Sequence, residues 1–142
     1  MERPNILSLI ASIFKIARRQ NWSTLYDKGS DCLYWSKKNI SKDAELIQFL
    51  DDFSLYITRS GKIEGLFIEY ANNNFMSHHR EFRPLINAMK QKGGKCIYIL
   101  PKKDEDKVEH LLEGIADKVA KETLELVANG FKINEILKMK GA

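Results

Sequence analysis

This chain lacks the cysteine spacing that metal and redox sites use. It holds two cysteines, Cys32 and Cys96, and no Cys-x-x-Cys. Neither a zinc knuckle nor a redox pair is therefore indicated. Each thiol falls in an expected strand beside aromatic residues, which fits two reduced, buried cysteines in a reducing compartment. The sequence leaves a bridge between them open. Also missing is any run near the roughly 20 apolar residues of a membrane span. The apolar stretch Ile6 to Ala17 is interrupted by Ser8, Ser12 and Lys15, and no small-residue cleavage site follows it. It reads as a helix of the mature domain rather than a signal peptide, and the expected location is the cytoplasm. There is no Gly-x-Ser-x-Gly elbow, no phosphate-cradling glycine loop and no His-Glu-x-x-His. No cofactor and no metal is indicated. Excess charge is small as well: a net charge of +4 does not by itself announce a nucleic-acid binder.

What is present suits a single α+β domain over residues 1–142, with 44% hydrophobic and 30% charged residues. At this length folding buries roughly two-thirds of the surface that the unfolded chain exposes, enough for a real core. Ile6, Leu9, Ile10, Ile13, Phe14 and Ala17 follow Pro4 at helical spacing and predict a helix over residues 4 to 20. Trp22 just after it reads as a core anchor. Thr24 to Tyr26 and Cys32 to Ser36 alternate as strands. Residues 44–50 fit helix and strand about equally, with strand favoured because a meander then continues unbroken. Phe53 to Thr58 and Glu64 to Tyr70 form a hairpin closed at Ser60-Gly61. Asn72-Asn73-Asn74 reads as loop. Phe82, Leu85, Ile86 and Met89 predict a helix from Glu81 that stops at Gly93-Gly94.

Lys95 to Leu100 is a compact strand ended by Pro101. Asp104, Glu105 and Asp106 suit the start of a long helix whose face carries Val108, Leu111, Leu112, Ile115, Val119, Thr123, Leu126 and Val127. A short helix around Ile133 and Ile136 closes the chain. The expected architecture is a mainly antiparallel β-meander flanked by an N-terminal helix, a middle helix and a long C-terminal helix. A right-handed crossover from strand 64–70 to strand 95–100 would make one pair parallel.

The hairpin Tyr26-Asp27-Lys28-Gly29-Ser30-Asp31-Cys32-Leu33-Tyr34 and the later run Gly61-Lys62-Ile63-Glu64-Gly65-Leu66-Phe67-Ile68 resemble a small prokaryotic family, the domain-of-unknown-function family 2283. The likeness covers about residues 24–71. Ser60 stands where the family pattern has an acidic residue, and Leu66 where it has a β-branched one. The resemblance implies a β-rich fold and no particular reaction.

The element order is also similar to the restriction-endonuclease-like fold. That similarity implies a divalent cation held by Asp52 and Glu69, with a lysine orienting the attacking water. Ala71 occupies the lysine position, so such a site should be inactive or rebuilt. Without the resemblance, Asp52 is a turn residue and Glu69 faces solvent on a strand.

Arg80, Arg83, Lys90, Lys92 and Lys95 form a basic segment that could track phosphates. Tyr34, Trp35, Tyr56 and Tyr70 would be stacking partners if their strands face solvent. The alternative is a solvated helix face beside a core aromatic cluster. His78 and His79 are adjacent and so point apart, which suits a surface or capping role better than joint metal ligation. His110 falls on the charged side of the long helix.

The leading expectation is an interaction or regulatory domain without a readable catalytic site. A metal-dependent nuclease or its inactive relative, and a nucleic-acid-binding module, are the alternatives. The apolar stripes of the first and last helices exceed what one sheet face needs, which predicts a homodimer with contacts at Val119, Leu126 and Val127. Folding of Phe131 to Met139 back over that stripe is the competing arrangement.

Overall fold

Period-two alternation sets the sheet. The computed structural model describes residues 6–50, 52–92 and 96–139, the side chains of 133, 134 and 137–139 excepted. Its strands are β1 (Ser23–Asp27), β2 (Cys32–Ser36), β3 (Glu45–Phe49), β4 (Phe53–Ile57), β5 (Ile63–Ile68), β6 (Lys90–Gln91), β7 (Ile97–Ile99) and β8 (Leu137–Met139). They join as one sheet in the order β6-β7-β1-β2-β5-β4-β3-β8, and every pairing is antiparallel. Residues 44–50 thus contain a strand, and β2, β5 and β4 lie side by side as the hairpin signals require.

The parallel pair does not form. β5 has β2 on one side and β4 on the other, so it offers no free edge to β7. β7 instead extends the sheet beyond β1, pairing Tyr26 with Tyr98.

Thr24, Tyr26, Leu33, Trp35, Leu55, Phe53, Leu66, Ile68, Ile47 and Phe49 share one sheet face by register and are buried. Helices cover this face. α1 (Ile6–Ile10) and α2 (Ile13–Arg19) replace the single helix expected over 4 to 20, whose first residues lie outside the described ones. The break falls at Ala11–Ser12, where the Ser12 amide bonds to Leu9 O at 3.0 Å and Ile16 restarts the ladder from Ser12 O. Ile10, Ile13 and Ala17 still form one buried stripe across the break. α5 (Glu105–Ala128) buries Val108, Leu111, Ile115, Ala116, Val119 and Thr123, the face read from its period. Buried Thr123 satisfies its hydroxyl by donating to Val119 O at 2.8 Å.

Three other elements differ from expectation. The Asn72-Asn73-Asn74 stretch is a wide helical turn, Ala71–Phe75, running into α3 (Met76–His78). The Asp31 carboxylate makes that turn by accepting the amides of Asn72 and Asn73 at 2.9 and 3.0 Å. The expected helix over 81–92 shrinks to a tight turn, Arg80–Phe82, and α4 (Arg83–Asn87). Lys90–Gln91 leaves the helix because it pairs with β7. The stop at Gly93-Gly94 lies outside the described residues. At the chain end, α6 (Ile133–Ile136) is followed by β8, which pairs with β3.

The cysteines are separated by a strand. Cys32 pairs across to Asp27 on β1, and Cys96 O accepts from Lys28 N on the other side of β1. Two strand spacings come to about 10 Å, beyond the roughly 7 Å that a disulfide tolerates between Cα atoms. Both thiols are free, and against the expectation of burial Cys32 is half-buried and Cys96 exposed.

Candidate interaction face

The second sheet face is the unusual surface. Register aligns one residue from each of seven strands in a single cross-strand row: Lys90, Ile99, Leu25, Tyr34, Phe67, Ser54 and Gln48. The adjoining row is Ser23, Ser36, Gly65, Tyr56 and Leu46. None of the apolar members belongs to the core cluster that the helices cover. Among the described residues, therefore, the helices lie on one face only. An antiparallel sheet with one solvated face normally alternates apolar and polar residues cleanly. Here the uncovered side is apolar at its centre.

Its packing is internal to the sheet. Tyr34 and Phe67 meet ring to ring, with centroids 4.7 Å apart. Phe67 is buried, while Leu25, Tyr34, Leu46, Tyr56 and Ile97 are half-buried and Ile99 is exposed. The Tyr56 ring lies over Gly65, where an added Cβ would sit 2.9 Å from Tyr56 Cδ2 and 2.6 Å from Ser36 Cβ. Burial raises the pKa of the Tyr34 and Tyr56 hydroxyls above the ordinary phenol value; for Tyr34 the Cys32 thiol adds to the effect. Asp27 shares this side, but its carboxylate accepts the Gly29 amide within its own turn.

The two candidate nuclease acids also meet, through the backbone. The Glu69 amide donates to Asp52 O at 3.0 Å, so the residues sit abreast at the ends of β4 and β5. The Asp52 carboxylate accepts from Asn74 Nδ2 at 2.9 Å. Ala71 is fully buried, and its amide donates to Asp31 O. A side chain from position 71 would therefore enter the core, not a site beside Asp52. Among the described residues no three His, Cys, Asp or Glu side chains gather as a metal site.

The basic segment is split. Arg80 lies on the tight turn before α4 and Arg83 is the first residue of α4, whereas Lys90 and Lys92 lie on and just after β6. Among the described residues none of these four forms an ion pair. Lys95 lies outside the described residues. Of the aromatic candidates, Trp35 is buried in the helix-covered core, Tyr34 and Tyr56 lie on the uncovered face, and Tyr70 is 61% exposed at the end of β5. His78 Nδ1 donates to Asn74 O at 2.8 Å, a local capping bond, and the His79 ring packs tilted against Phe75, centroids 5.0 Å apart.

No family model, no curated protein and no solved structure matches this chain. These comparisons neither support nor oppose the resemblance of the two hairpins to family 2283. Within them the structure assigns clear structural roles. Tyr26 donates to Asp31, and Asp31 ties the first hairpin to the turn after β5. Glu64 is buried and accepts the Ser41 amide and hydroxyl, both at 2.7 Å, with Lys37 at 3.4 Å. Burial alone would raise the Glu64 pKa; the Ser41 bonds and Lys37 outweigh it, so the group titrates below the ordinary carboxylate value.

One of the three expected dimer contacts is internal to the chain. Val119 is fully buried in the core, and Leu126 and Val127 pack half-buried against it. The chain end folds back instead: Phe131 N bonds to Leu126 O at 3.0 Å, and buried Ile136 joins the core cluster. Sequence reasoning missed Leu25, Leu46 and Phe67 as surface-forming residues. The available signal was β5, where Leu66, Phe67 and Ile68 are consecutive and so must be apolar on both faces. Among the described residues no helix is long and apolar enough to cross a membrane.

Proposed function

We propose that this is a non-catalytic interaction domain whose helix-free sheet face docks a second copy of the same chain. The observation that carries the reading is the row Ile99–Leu25–Tyr34–Phe67, apolar and without helical cover. A soluble monomer rarely leaves a large contiguous apolar patch in water. Two such faces can meet across a two-fold axis, the commonest form of self-association. The centre of the row is uncharged, so the two copies bring no like charges together there. A concentration series followed by NMR tests the location. Amide shifts of Leu25, Tyr34, Leu46 and Tyr56 should move together and saturate, while those of α5 stay fixed.

Arg80, Arg83, Lys90 and Lys92 support a second reading, contact with a nucleic-acid backbone. Among the described residues they have no ion-pair partner, and Lys90 borders the face that carries Tyr34. Anisotropy of a labelled single strand should then weaken steeply with salt. Binding that is insensitive to salt would remove this reading.

A further inference from the structure

On the helix-covered side, a cleft of about 270 Å³ opens between α2, the first two strands and the start of α5. Three aromatic rings form its wall. Trp22 meets Trp35 edge to face at 5.3 Å, and Phe14 lies 6.4 Å from Trp35. Thr24 is part of the same lining, only 6% exposed, and among the described residues its Oγ1 has no hydrogen-bond partner. A buried hydroxyl left unpartnered is costly, so an acceptor or donor supplied to it is favourable. The rim is acidic. Glu105, Asp106 and Glu109 line it against one cation, Arg18, and Arg18 is held by Glu109 at 2.8 Å. Among the described residues the carboxylates of Glu105 and Asp106 therefore have no ion-pair partner at the mouth.

We propose that this cleft binds a small aromatic amine. Its ring would lie against Trp22 and Trp35, a polar atom on the ring would reach Thr24, and its ammonium would sit at Glu105 and Asp106. The aromatic wall and acidic rim both favour a cation. The volume is near the lower end for small-molecule sites and suits a single-ring molecule. This site lies on the opposite side of the sheet from the proposed docking face and does not depend on it.

The test uses three probes on the intact protein: tyramine, phenethylammonium, which lacks the phenol hydroxyl, and 4-hydroxyphenylacetate, which lacks the cation. Trp22 and Trp35 are the only tryptophans, so fluorescence excited beyond tyrosine absorption reports the cleft; calorimetry gives the affinity. Tyramine should bind saturably, about fivefold tighter than phenethylammonium, as one hydrogen bond allows. Thr24→Val should erase that difference and Thr24→Ser should keep it. The double variant Glu105→Gln with Asp106→Asn, exposed on a helix, should lower the affinity of both amines and not that of the acid. The proposal is overturned if tyramine does not saturate, if the acid binds as well as the amines, or if Thr24→Val retains the fivefold preference.

Discussion

The Tyr26 hydroxyl donates to the Asp31 carboxylate at 2.5 Å, inside the fold. Asp31 also takes the Asn72 and Asn73 amides, so one side chain joins the first hairpin to the turn that follows β5. It does so from a left-handed backbone position, φ 55°, which Asp and Asn tolerate better than most residues. Asp31→Asn keeps that geometry but loses the charge and turns a donor towards one of the two amides, which need acceptors on separate oxygens. It should cost about 2 kcal/mol, read from urea unfolding. Tyr26→Phe should cost about 1 kcal/mol by the same measurement.

Alkaline pH should unfold the protein in a way tied to Tyr26. Burial first, then the hydrogen bond to Asp31 and its negative charge, raise the Tyr26 pKa well above 10.0. Tyr34 and Tyr56 are raised by burial too. A raised pKa means that the unfolded chain ionises first. The stability from these groups is complete below about pH 10 and is lost as pH climbs beyond it. Tyr26→Phe should flatten part of that loss. An unchanged slope would place the effect elsewhere.

Acid pH acts through Glu64 with the opposite sign. Its folded pKa lies below its ordinary 4.5, so its contribution is present above that value and fades as pH falls through the folded value. Glu64→Gln should remove about 1–2 kcal/mol at pH 7 and make stability less pH-dependent below 4.5. Thermal melts from pH 7 to pH 3 check both statements.

Gly65 is a packing position. A Cβ there would fall 2.6 Å from the Ser36 Cβ, which cannot swing away. Gly65→Ala should destabilise by about 1–3 kcal/mol as an overpacked site. The paired variant Gly65→Ala with Ser36→Gly should recover part of that loss in the same unfolding assay.

Magnesium or manganese should not elicit DNA or RNA cleavage. Asp52 is bonded to Asn74, and the position for an orienting lysine is a buried alanine. Metal-dependent cleavage that disappears in both Asp52→Ala and Glu69→Ala would reverse this reading.

The β4–β5 hairpin and α5 were legible because local signals agree: alternation around Ser60-Gly61, and a 3.6-residue stripe from Val108 to Val127. The helical turn at Asn72 was not, since its amides are satisfied by Asp31, 41 residues away for Asn72. Lys90–Gln91 and Leu137–Met139 carry too few residues to show a period, and only their partners β7 and β3 make them strands. The interaction face escaped for a related reason. Leu25, Tyr34, Phe67 and Ile99 are scattered over 75 positions and become one row only through the register of four strands. Val119 failed as a surface residue because sequence gives the stripe on α5 but not what covers it.

Light scattering across a concentration series tests the docking face most directly. The wild-type mass should rise towards twice that of the chain as protein reaches high micromolar concentration. Tyr34→Lys, which places a charge in the centre of the apolar row, should hold the mass at one chain while circular dichroism stays unchanged. A wild-type protein that remains strictly monomeric over the whole range would contradict the account.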